Sequence, residues 1–71
     1  MDKDLRLILG KKIRSLRRKL DLTQEELAEL SQIDYKYIQR IEGKTPPAIK
    51  IDTIGRFARA LKVKPSELLD F

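Results

Sequence analysis

The 71 residues predict an all-α fold, a compact bundle of five short helices in a single domain spanning 1–71. Three observations carry this. Apolar residues recur at spacings of three and four along most of the chain, the period of a helix buried on one face. A capping box at Thr23 to Glu26 opens a helix sharply. Gly43 and Pro46-Pro47 fall where a helix ends, and Pro65 suits the first turn of another.

Composition narrows the function classes. The chain has 16 Lys and Arg against 11 Asp and Glu, a net charge of +5, which favours a polyanionic partner. It has no cysteine and no histidine, so neither a disulfide nor an ordinary zinc site can reinforce it, and no metal or cofactor is expected. No apolar run approaches the roughly 20 residues of a membrane span and no signal-peptide pattern opens the chain, so the expectation is a soluble, cytoplasmic protein without a membrane partner.

Taken in order, residues 1–4 are polar and expected to fray. From Leu5 the residues Leu5, Leu9, Ile13, Leu16 and Leu20 share one stripe, and Asp21 ends it. Arg17 lies at the edge of that stripe, about 70° from its centre at 100° per residue. Six basic residues lie between Lys11 and Lys19, readable as a phosphate-binding patch or as a solvated face. Leu22 precedes Thr23, the expected N-cap of a helix running to about Leu30, with Glu26 completing the box and Leu27 and Ala28 turned inward. Ser31-Gln32-Ile33 is the turn. Asp34 caps the next helix, Tyr35 to Glu42, whose buried face is Ile38 and Ile41. Projection at helical steps puts Lys36 and Arg40 nearly opposite that face, Tyr35 and Gln39 on one flank, Tyr37 on the other and Glu42 at the core's edge. Gly43 is placed to end this helix in a left-handed conformation. Pro46-Pro47 breaks any continuation, and Ile49 and Ile51 are expected to pin the loop to the core. A fourth helix is expected from Asp52 to Leu61, with Ile54, Phe57, Ala58 and Leu61 inward. A last short one opens at Lys64-Pro65-Ser66-Glu67.

Helix, turn and basic helix in this order resemble the Xre/Cro-type helix-turn-helix family, the lambda-repressor-like DNA-binding domain. The resemblance is carried by Leu9-Gly10, Ile13-Arg14, Leu16-Arg17, Leu22 to Ala28, Ile33, Ile38, Arg40 to Gly43, and Ala58, Ala60-Leu61, Val63, Pro65 and Glu67 to Leu69. In the turn, where the family commonly has glycine, this chain has Gln32. A left-handed residue there would cost on the order of 1 kcal/mol, or the turn would differ slightly. The direct Glu42-Gly43 junction also lacks a residue that the family often has, which bears on the phosphate contacts of the following loop.

The resemblance implies that the helix Tyr35–Glu42 enters a major groove while the Thr23 helix crosses the backbone. Carried over, Gln24, Tyr35, Lys36 and Arg40 match base-reading or site-edge positions, and Thr23, Tyr37, Gln39, Lys44 and Thr45 suit phosphate contacts. Each has a plainer alternative: Tyr37 packing over the turn, Lys36 and Arg40 forming a solvated face, Gln24 merely completing a helix start. Arg17 and Glu42 match a partly buried ion pair with a structural role. Leu69 and Phe71 are candidates for the interface of a homodimer, formed at least on DNA, although the last helix can also simply close the core. The expected function is sequence-specific binding of double-stranded DNA at a palindromic operator, as a transcriptional regulator and in most such cases a repressor. The alternative is a protein-interaction adaptor such as an antitoxin or coactivator-like module. An enzyme is not expected: no nucleophile motif is present, and Glu25, Glu26 and Glu29 are accounted for by capping and solvation.

Overall fold

A computed structural model of the chain describes the backbone from Asp2 to Phe71 and the side chains from Leu5 onward. Five helices follow one another: α1 Asp2–Lys19, α2 Gln24–Ser31, α3 Tyr35–Ile41, α4 Ile51–Leu61 and α5 Pro65–Leu68, with no strand among the described residues. For Met1 the expectation of fraying lies outside the described residues. From Asp2 onward the backbone is helical.

The core gathers Leu9 and Ile13 of α1, Leu27 of α2, Ile33 of the turn, and Ile38 and Ile41 of α3. Ile54, Phe57, Ala58 and Leu61 of α4 and Leu68 of α5 complete it. Phe57 is the largest fully buried side chain, and α4 around it packs on α1, α2 and α5. Three expectations from periodicity are corrected. Leu5 and Leu20, at the two ends of the α1 stripe, are exposed, because no other helix extends over them. Ile51 does not pin the loop: it opens α4 and is 70% exposed, while Ile49 packs against the core. Buried Pro46 and the Tyr37 hydroxyl, which donates to the Ala48 carbonyl at 3.1 Å, tether that loop in addition.

Helix ends follow local chemistry. Thr23 Oγ1 accepts from the Glu26 N–H at 3.0 Å and the Glu26 carboxylate accepts from the Thr23 N–H at 2.8 Å, the reciprocal pair of a capping box. Asp34 Oδ1 accepts from the Lys36 N–H at 2.9 Å. Asp21, Gln32 and Lys62 end α1, α2 and α4 at φ 59, 58 and 60, all in the left-handed region. Gly43 is not left-handed, contrary to expectation, since no glycine has a positive φ among the described residues. α3 ends instead at Glu42 with φ −86 and ψ 0, and the Gly43 N–H donates to the Arg40 carbonyl at 3.1 Å. A Cβ on Gly43 would lie 3.1 Å from the Gln39 carbonyl oxygen, so glycine is favoured there by crowding.

Candidate nucleic-acid interface

The site is built on α3, and two features beneath its C-terminal end fix its position. At Gly10 the backbone of α1 touches that of α3: an added Cβ would collide with the Ile41 carbonyl oxygen, so only glycine permits this approach. Beside it, Arg17 meets Glu42 in a two-pronged ion pair, with Nε to Oε2 and Nη2 to Oε1 both at 2.9 Å. The two side chains are 11% and 3% exposed. The pair serves three elements at once, because Arg17 Nη1 also donates to the Leu22 carbonyl at 2.7 Å and Gln24 Nε2 donates to Glu42 Oε1 at 3.0 Å. α1, α2 and α3, with the α1–α2 connection held by Arg17, thus converge on one ion pair. Its hydrogen bonds raise the pKa of the Arg17 guanidinium above its ordinary value, against the opposing effect of burial. No buried side-chain nitrogen or oxygen is left without a partner among the described residues.

With Ile38 and Ile41 buried, the outer face of α3 presents Tyr35, Lys36, Gln39 and Arg40, all exposed. Tyr35 and Gln39 are joined along the helix, the Gln39 amide donating to the Tyr35 hydroxyl at 3.1 Å. Lys36 and Arg40 take part in no ion pair among the described residues and point clear of the core. Lys44 and Thr45 stand exposed just beyond the helix, and Thr23 is exposed at the start of α2. The face therefore offers two free cations flanked by an amide and a phenol, on a scaffold that holds their backbone rigidly. This is the chemistry that reads guanine edges and phosphates.

Two of the candidates have internal uses that local spacing did not disclose. Gln24 commits its amide to Glu42, so its first role is to complete the clamp. The Tyr37 hydroxyl is engaged with Ala48 and its ring packs on the core. Both contacts join segments distant in sequence. The basic residues Lys11, Arg14, Arg18 and Lys19 border a shallow exposed surface of α1, separate from the face of α3. Leu69 and Phe71 are exposed and border a cleft of about 410 Å³ together with Leu5, Arg6, Leu9, Ala48 and Ile49. Leu5 and Ile49 extend the apolar surface beyond the two residues that the sequence pointed to.

Known proteins agree with this architecture. Control protein C.BamHI of Bacillus amyloliquefaciens is 38% identical over 72 residues, covering 100% of this chain and 88% of that protein. The crystal structure of the restriction-modification controller protein C.AhdI from Aeromonas hydrophila superposes with a TM-score of 0.83 at 33% identity, over 89% of this chain and 94% of that one. The hypothetical transcription factor NHTF from Neisseria superposes with a TM-score of 0.86, also at 33% identity, over 97% of this chain and 78% of that one. Residues 13–68 match the helix-turn-helix family, and with the buried clamp and the basic outer face of α3 in place, the chain belongs to that family of DNA-binding transcription regulators, in its Xre/lambda-repressor-like branch.

Proposed function

We propose that the chain is a controller-type regulator of a restriction-modification system, which binds a two-fold symmetric operator as a homodimer and represses where that operator overlaps a promoter. The observation that carries the reading is the division of α3: Ile38 and Ile41 are fully buried while Lys36 and Arg40 are exposed and unpaired among the described residues. The similarity to two proteins named as controllers supports the biological setting. Lys36 and Arg40 read base edges, Tyr35 and Gln39 act as a joined pair at the flank, and Thr23, Lys44 and Thr45 hold phosphates on either side. Gln24 contributes its carbonyl oxygen, and Tyr37 serves by fixing the loop that carries Lys44 and Thr45.

A domain this small makes few base contacts, so two copies are needed for specificity, with their recognition helices about 34 Å apart. The apolar cleft edged by Leu5, Ile49, Leu69 and Phe71 supplies a surface for self-association at the end of the molecule formed by α5 and the start of α1. Selection of bound duplexes from a random pool tests the whole reading. The expected product is a palindrome with half-sites one helical turn apart, bound by a dimer in sedimentation. No enrichment at low salt would sink it. An enriched site without symmetry, bound by a monomer, would remove the dimer and leave DNA binding.

A further inference from the structure

We propose that Arg6, on the second turn of α1, is a DNA-backbone contact, closing with Lys44 and Thr45 a cleft that takes one phosphodiester beside the recognition helix. This rests on the DNA-binding reading above and names a contact outside residues 13–68, the part of the chain that the family match covers. The cleft has a volume of about 370 Å³ and draws its lining from three separate elements. Arg6 comes from α1, Arg40 from α3, and Lys44, Thr45, Pro46 and Pro47 from the loop that follows.

Three positive charges around one opening repel each other, and no carboxylate lies among its described lining residues. An entering anion relieves that repulsion, which makes the cleft selective for negative charge. Its walls are preset. Gly10, one turn further along α1 from Arg6, holds α1 against the end of α3, and buried Pro46 and the Tyr37–Ala48 hydrogen bond hold the loop. Little ordering remains for binding to oppose. Arg40 joins the cleft to the base-reading face, so a strand whose bases meet Arg40 runs its backbone past Arg6. A guanidinium suits a phosphodiester because it donates two parallel hydrogen bonds to the non-bridging oxygens.

The test compares wild type with Arg6→Gln, Arg6→Lys and Lys44→Gln by fluorescence anisotropy, on the selected operator and on a scrambled duplex, between about 50 and about 200 mM salt. Arg6→Gln should weaken both duplexes alike, by about tenfold for each half-site, the scale of one charge-assisted hydrogen bond. The slope of log affinity against log salt should become shallower by about 1.8, the change expected when the homodimer neutralises one phosphate fewer in each half-site. The ratio of operator to scrambled affinity and the thermal midpoint should stay as in wild type, and Arg6→Lys should restore most of the slope. Unchanged affinity and slope in Arg6→Gln, on an operator that Lys44→Gln binds more weakly, would overturn the proposal. So would an altered operator-to-scrambled ratio, which marks a base contact, or a lowered thermal midpoint, which marks a structural one. Failure of wild type to bind any duplex is a different result and would fell the DNA-binding reading itself.

Discussion

At its N-terminal end α3 follows a turn in which Gln32 sits at φ 58 and ψ 36, its carbonyl reached by Arg56 Nη1 at the long distance of 3.5 Å. At its C-terminal end Glu42 accepts two bonds from Arg17 and one from Gln24, all between 2.9 and 3.0 Å, beneath a backbone contact that only Gly10 permits. The first joint tolerates strain in an exposed residue. The second depends on desolvated charge and close packing, and it sits next to Arg40 and Lys44. The recognition helix is thus entered through a left-handed residue at the turn and fastened by a buried ion pair at the end that carries Arg40. Interactions of the second kind are costly to interrupt, because removing one partner strands the other in a poorly solvated place.

The comparison breaks most visibly at Glu42. Glu42→Ala leaves Arg17 buried without its carboxylate and should cost about 3–5 kcal/mol in denaturant melts. Replacing both partners, as Arg17→Met with Glu42→Leu, should cost clearly less than the two single changes added together, which a double-mutant cycle reads directly. Additive costs would mean that the two groups do not act as a pair. Gly10→Ala comes next. Its methyl meets the Ile41 carbonyl, so α1 and α3 must separate, at about 1–3 kcal/mol in the same melts, the range of an overpacked core. Both changes should also weaken DNA binding, since α3 loses its fixed position.

Smaller effects belong to the local joints. Thr23→Ala removes the oxygen that accepts from the Glu26 N–H and should cost about 1 kcal/mol by thermal melting, leaving the clamp in place. Gln32→Gly is predicted to go the other way. Relief of the left-handed conformation should stabilise the protein by up to about 1 kcal/mol, less the entropy that glycine adds to the unfolded chain. A loss of stability at Gln32→Gly would show that the side chain contributes more to the turn than its backbone conformation costs.

The same contrast explains what could be read from sequence. Thr23 with Glu26, and Asp34, were legible because a cap lies within three residues of what it caps. The Arg17–Glu42 pair was legible through the family resemblance and through both residues' falling at the rim of an apolar stripe. Periodicity placed Leu5 and Leu20 on the right face of α1 but could not say how far along that face the other helices reach. Gly43 looked like a left-handed stop, yet the left-handed stops are Asp21, Gln32 and Lys62. A glycine near a helix end signals either conformational need or close approach, and here crowding by the Gln39 carbonyl oxygen decides for approach. On the binding face, the outward direction of Lys36 and Arg40 followed from a 100° projection. The engagement of Gln24 by Glu42 and of Tyr37 by Ala48 did not, because those contacts depend on how separate segments fold against one another.

The central claim is that the outer face of α3 reads DNA while the Arg17–Glu42 clamp beneath it only positions that face. The most direct measurement is the ratio of operator to scrambled-duplex affinity for Arg40→Ala, taken beside its thermal midpoint. Discrimination should fall by about 1–3 kcal/mol for each half-site, the worth of one bidentate base contact, with the midpoint unchanged. An unaltered ratio in a folded Arg40→Ala protein would contradict it.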